Sequence, residues 1–258
     1  MRLPNSQIHV ISLQWATYRR HKTSAQMNAA NLEFQYFNAI SANQLSEEYW
    51  NAFNEKKFLL CNGRRHHINE IACFSSHREL WRICASGNEN FFIFEDDFVF
   101  LDHPAETLKK VAQLPESFGF VRLEGTRPKP AKRVPTNSDL EVIRYYKVPQ
   151  RTTGYRLTPK AAENLLRKSQ SMYLPVDVFI RNIHIHKVQI YGLKDPAITY
   201  STKIVTSEIG DRGNLPRPKW AKITRAAYRT LGALRNGLQQ ISTAITMHEK
   251  RSRSDRCT

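Results

Sequence analysis

Phe91-Phe92-Ile93-Phe94-Glu95-Asp96-Asp97 sets four large apolar side chains directly against three carboxylates. An apolar run of this length without polar alternation suits a strand buried on both faces of a largely parallel sheet, and ligands of such sheets collect beyond the carboxyl ends of the strands. Glu95, Asp96 and Asp97 then stand at the mouth of a site. Adjacent carboxylates repel one another and lose solvation on burial unless a cation or a basic partner offsets them, and hard oxygen ligands suit Mg²⁺ or Mn²⁺. Glu95 and Asp97 are the expected metal ligands. The triplet also reads as an acidic loop or as a helix N-terminus, where acids favour the dipole, so the surrounding sequence has to decide.

Just upstream, Ile71, Phe74, Trp81 and Cys84 recur at helical spacing with Leu80 beside them, Asn69 is the expected N-cap and Gly87 the expected terminator. Glu70-Ile71-Ala72-Cys73-Phe74-Ser75-Ser76-His77, the rest of that helix, an apolar strand and Glu-Asp-Asp together resemble glycosyltransferase family 25. This family comprises lipopolysaccharide and lipooligosaccharide glycosyltransferases, with collagen galactosyltransferases as eukaryotic relatives. The resemblance runs over residues 7 to 210. It includes the first strand Ile8 to Leu13 with Arg19-Arg20, the segment Thr153-Gly154-Tyr155-Arg156-Leu157 with the helix Lys160 to Leu166, Pro175-Val176-Asp177, and Ser207. Gln14 stands where the family usually has an aspartate after its first strand, which removes one nucleotide-binding carboxylate.

The resemblance implies a GT-A-like nucleotide-diphospho-sugar transferase fold, α/β with a mixed, mainly parallel central sheet. It also implies a UDP-sugar donor, UDP-galactose with UDP-glucose as the alternative, and a lipid-linked lipooligosaccharide or lipopolysaccharide acceptor. Cleaving the bond from the anomeric carbon to a diphosphate builds negative charge on the leaving group, which a divalent cation stabilises. Transfer with inversion needs a base for the acceptor hydroxyl. Asp177 is the candidate base, with Glu124 and Tyr155 as alternative base or acceptor contacts. Asp96, Ser76, His77, Arg19 and Arg20 are the donor-binding candidates, and His184 and His186 are additional metal candidates. Each has an ordinary structural reading too: a satisfied helix-start carboxylate for Asp177, packed histidines, and a solvated helix face for the two arginines.

The chain has 258 residues, 41% of them hydrophobic, enough for one full core. No apolar stretch approaches the roughly 20 residues of a membrane span, and no secretory leader is evident, so a cytoplasmic location is expected, peripheral on the inner membrane. Cys61, Cys73, Cys84 and Cys257 show neither metal-site spacing nor disulfide density. A net charge of +16 would suit a nucleic-acid or polyanion-binding protein. No nucleic-acid motif accompanies it, and an acidic cleft repels a polyanion. A metal-dependent sugar-nucleotide hydrolase is the other alternative, sharing the donor site but lacking an acceptor cleft.

Strand and helix alternate through residues 8 to 110, with later strands expected at 118–123, 142–148, 188–193 and 197–201 and helices after Thr158-Pro159 and Pro175. The basic Arg64-Arg65-His66-His67 reads as a surface loop. The loop holding Arg127, Pro128, Lys129, Pro130, Lys132, Arg133 and Pro135 reads as a lid or acceptor loop, or as a plain surface loop. Two units are expected, a catalytic domain over 1–214 and a basic helical tail over 215–258. The tail carries ten Lys and Arg against Glu249 and Asp255, half the net charge. Trp220, Ile223, Ala227, Leu231, Leu234, Leu238, Ile241 and Ile245 form one helical stripe. Such a helix suits an anionic membrane surface, each nearby cation adding about 1 kcal/mol. Packing on the domain or a homodimer seam is the other reading, and Gly232 and Gly237 weaken a free helix.

Overall fold

The structure is a computed structural model and describes residues 1–125, 130–136, 138–200, 215 and 218–254, with side chains up to 243 in the last segment. Ser207, Arg127, Pro128, Lys129 and Cys257 lie outside the described residues, as does the side chain of Ile245. In chain order, β1 (Ser6–Ser12), α1 (Thr17–Ala29) and β2 (Gln35–Asn38) precede the short helices α2 (Glu47–Ala52) and α3 (Glu55–Asn62). Then come α4 (Ile68–Ser86), β3 (Asn90–Glu95), β4 (Phe98–Phe100), α5 (Pro104–Ala112) and β5 (Phe120–Arg122). β6 (Ala131–Val134), β7 (Val142–Tyr145), β8 (Gly154–Leu157), α6 (Pro159–Lys168), α7 (Val176–Arg181) and α8 (Ile183–His186) follow. β9 (Ile190–Leu193), β10 (Ile198–Tyr200) and α9 (Lys219–Ser254) complete the described chain.

Eight strands form one mixed sheet in the order β2-β1-β3-β8-β5-β9-β7-β6, and β10 pairs with β4 in a separate ribbon. Only β8 and β7 run against the other six strands. The apolar run behaves as its composition demands. Phe91 and Ile93 point into a core shared with Phe74, Trp81 and Cys84 of α4, while Phe92 and Phe94 point into a second core with Met27 of α1 and Leu108 and Val111 of α5. The sheet is therefore sandwiched between helices, and its strand β3 is buried on both faces, each large side chain contributing about 1.5–3 kcal/mol.

Helix α4 starts earlier than its sequence suggests. His67, not Asn69, is the N-cap: its Nδ1 accepts from the Asn69 amide at 3.2 Å, and Glu70 reaches back to the His67 amide at 3.0 Å. The expected surface loop before it is partly interior, because Arg64 forks onto the buried Glu70 at 2.6 and 2.7 Å and His66 packs among Trp50, Phe53 and Phe58. Thr158 caps α6 as expected, accepting from the Ala161 amide. The basic proline loop is not wholly irregular: residues 131–134 add the edge strand β6. Gly192 is fixed by packing, since a Cβ there would collide with the Tyr145 hydroxyl on the neighbouring strand. No helix among the described residues is long and apolar enough to cross a membrane.

Candidate functional site

The three acids part company at the end of β3. Asp96 turns toward β1 and α1, where Ser12 Oγ donates to it at 2.6 Å and Arg19 pairs with it at 3.1 Å. Glu95 faces the opposite layer, accepting from Thr152 and from His77 Nε2 at 3.2 Å, with 28% of its side chain still exposed. Burial alone would raise the Glu95 pKa; the hydrogen bond from His77, the Thr152 hydroxyl and the charge of Arg122 outweigh it and hold the carboxyl below its ordinary value.

A chain of buried donors fixes the ring of His77. Trp81 Nε1 donates to the Tyr155 hydroxyl at 2.9 Å, which leaves that hydroxyl to donate to His77 Nδ1 at 2.8 Å and His77 Nε2–H to face Glu95. Burial raises the Tyr155 pKa well above its ordinary value, so the donor is retained. Tyr155 is 1% exposed and His77 is fully buried, so Tyr155 meets no acceptor and both act on Glu95 rather than on a ligand's far end. Tyr155→Phe leaves the Trp81 and His77 nitrogens short of a partner, and is expected to lower stability to urea by about 1–3 kcal/mol. Unchanged resistance to urea in Tyr155→Phe would show that neither nitrogen depends on the hydroxyl.

Asp97 has no such support. Its buried Oδ1 has no hydrogen-bond partner among the described residues, and its pKa is pushed up to about 7 by burial first, then by the charges of Glu95 and Asp96, with Arg19 opposing. An orphaned carboxylate oxygen beside a second, ionised carboxylate fits a hard divalent cation. Glu95 and Asp97 are the residues that would hold it. Among the described residues the one three-member cluster at ligand range is a different one: atoms of Cys73, His77 and Glu95 lie within 4.8 Å of one another. His77 in that trio already bonds Glu95, so the hydrogen-bonded reading accounts for it.

The remaining candidates separate by their contacts. Ser76 is spent on the backbone, accepting from the Ile40 amide at 2.9 Å and donating to Ala72 at 3.0 Å. Arg20 straps β1 to β2 through Leu13, Ser12 and Asn38 and lies over the Tyr36 ring. Neither has a side chain left over for a donor. His186 is fully buried and uses Nε2 on Ile180 and Nδ1 on Val188, while His184 bonds Asn236 of α9 at 2.9 Å. Both histidines serve helix packing instead of a metal. Glu124 is 4% exposed, paired with Arg122 and bonded by the Gly154 amide at 2.9 Å; burial first, opposed by Arg122, pushes its pKa up to about 7. Arg122 also donates to Pro149 and Gln150, so this ion pair secures the loop that delivers Thr152 to Glu95.

Asp177 sits in the first turn of α7, half-buried, its Oδ1 accepting from the Val178 amide at 2.8 Å. Its charge acts on Arg181, whose pKa is lowered by burial first, then by Arg229 and Arg122. Arg122 in turn acts on Glu95, so Asp177 and Glu95 border one arginine-rich neighbourhood. Sequence reading passed over Arg122, Arg181 and Thr152, which carry no motif. It also passed over Trp15 and Tyr18, 62% and 74% exposed beyond the end of β1, beside Arg19. Two large aromatics directly after a buried strand were the available signal.

A helix-sandwiched mixed sheet with an acidic site at the end of a central strand is consistent with a glycosyltransferase fold. A family model described as Glycosyltransferase family 25 (LPS biosynthesis protein) matches residues 5–180, and the chain belongs to that family. It is 28% identical over 192 residues to a putative glycosyltransferase of Haemophilus influenzae, covering 69% of this chain and 64% of that protein. It is 27% identical over 193 residues to a glycosyltransferase 25 family member of Aedes aegypti, covering 68% of this chain and 30% of that protein. The matches thus span less than two thirds of either relative's length.

Proposed function

We propose that the protein transfers a hexose, galactose from UDP-galactose, with inversion onto a lipid-linked lipooligosaccharide or lipopolysaccharide acceptor at the cytoplasmic face of the inner membrane. The observation that carries this reading is the unpartnered Asp97 oxygen beside Glu95 at the end of β3 in a family 25 chain. A divalent cation, Mn²⁺ or Mg²⁺, held by Glu95 and Asp97 would neutralise charge developing on the donor diphosphate. His77 and Thr152 keep Glu95 ionised and in place for that task. Arg19 and Asp96 satisfy one another and form a fixed wall, against which the exposed rings of Trp15 and Tyr18 offer flat faces for the nucleotide base. Asp177 takes the proton of the acceptor hydroxyl as that oxygen attacks the anomeric carbon and UDP leaves from the opposite side.

The test is a panel of UDP-sugars assayed for UDP release with Mn²⁺ or Mg²⁺, with and without truncated oligosaccharide acceptors. Acceptor-dependent release from UDP-galactose, giving a galactosyl product of inverted configuration, is the expected result. Acceptor-independent release yielding free sugar would make the protein a hydrolase, and preference for UDP-glucose would correct the donor.

A further inference from the structure

Helix α9 is mounted with its apolar stripe outward. Its inner side is small or polar: Asn236 bonds Asn182 and His184, Gln240 donates to the Tyr145 carbonyl at 2.8 Å, Tyr228 packs into the core beneath, and Ala221 is fully buried near Gly63. On the other side Trp220, Ile223, Leu231, Leu234, Leu238 and Ile241 are all 51% to 74% exposed. A surface helix ordinarily turns its apolar stripe to the core and its polar face to water. Here the polar contacts hold the helix to the domain, and a continuous apolar ridge is left uncovered.

The charge on the same segment says what covers it. Between residues 219 and 243 the helix carries Lys219, Lys222, Arg225, Arg229 and Arg235, all exposed, and no acidic residue; Arg225 lies against Gly63 and Arg229 acts on Arg181, which leaves Lys219, Lys222 and Arg235 to flank the stripe. A second copy pressed stripe to stripe would bring two sets of cations together with no carboxylate between them. An anionic bilayer supplies the opposite charge along the flanks and an acyl boundary for the ridge, and Trp220 is a side chain suited to the headgroup level. We infer that the outward face of α9 is a docking surface for an anionic lipid bilayer, and that the helix orients the catalytic domain on the membrane as a fixed mount. α9 is seated on α3 and on α8, and α8 directly follows α7, the helix that carries Asp177. The inference rests on the helix alone, so vesicle binding and sugar transfer can fail separately.

Deleting the tail would strip the cover from the Tyr228 and Gln240 contacts, so the test uses point changes in the full chain. Leu234 and Leu238, 61% and 67% exposed, can be replaced together without disturbing packing. Wild type is expected to sediment with phosphatidylcholine vesicles containing phosphatidylglycerol, less so as salt rises, and weakly with phosphatidylcholine alone. Leu234→Gln with Leu238→Gln should lower that partition by on the order of 100-fold. Lys219→Gln with Lys222→Gln should lower it by about 10-fold on anionic vesicles and leave neutral ones unchanged. Circular dichroism melts matching wild type establish that both variants are folded. No vesicle binding by wild type, or binding that survives the leucine changes, overturns the inference. So does a dimer by light scattering that the leucine changes dissolve in the absence of vesicle binding.

Discussion

Asp97→Asn is expected to raise the melting temperature of the cation-free protein while removing cation-dependent transfer. The Asp97 carboxyl, lifted from an ordinary 3.8 to about 7 by burial and by the charges of Glu95 and Asp96, binds its proton more tightly folded than unfolded. Its contribution to stability is therefore greatest below pH 4, declines as pH rises toward 7 and stays low above it. A neutral amide of the same shape escapes that decline. At pH 8 the gain is about 1–3 kcal/mol after discounting for partial exposure, a rise of a few degrees. Addition of Mn²⁺ should then raise the melting temperature of wild type and leave the variant unmoved, since the ligand that discriminates holo from apo is gone. Transfer should fall by 10²-fold or more on the same change, the scale on which lost electrostatic stabilisation at a leaving group is felt. A variant less stable than wild type in the absence of cation, or one that retains transfer, would remove Asp97 from the site.

Periodicity and polarity made the frame of this chain legible. Four aromatic and aliphatic residues in a row admit a strand buried on both sides, and Phe91 to Phe94 divide between the two cores in strict alternation. The same alternation, carried two residues further, would have separated Asp96 from Glu95 and Asp97, which the composition of the triplet hides. Motif proximity misled at Ser76 and Arg20, whose neighbours in sequence belong to the site while their own polar atoms close backbone gaps. The N-cap of α4 was missed because Asn is the more usual cap, although Glu70 three residues after His67 is a capping-box spacing. For α9, the stripe was visible in the spacing. The direction it faces was not, because that depends on Asn236 and Gln240 finding partners on distant elements.

Asp177→Asn is expected to leave UDP-sugar affinity within about twofold and lower the transfer rate by 10²-fold or more, the contribution of a positioned general base. The amide keeps the volume of the carboxylate and can still accept from the Val178 amide, so the first turn of α7 should survive. What it loses is the capacity to take a proton from the acceptor hydroxyl. Buried Val176, Phe179 and Ile180 anchor the helix whatever stands at 177, which makes a folding defect an unsuitable explanation for lost turnover. The loss of a negative charge also bears on Arg181, whose guanidinium is partly desolvated and lies near Arg122 and Arg229. If Asp177 served only to balance that cluster, Asp177→Asn would weaken α7 and lower stability, and a compensating Arg181→Gln would restore both stability and rate. If Asp177 is the base, the single variant keeps its stability, and adding Arg181→Gln leaves the rate low at every pH at which wild type is active. The melts and the pH profiles of the single and double variants, measured with the same soluble acceptor, separate a base from a counter-ion.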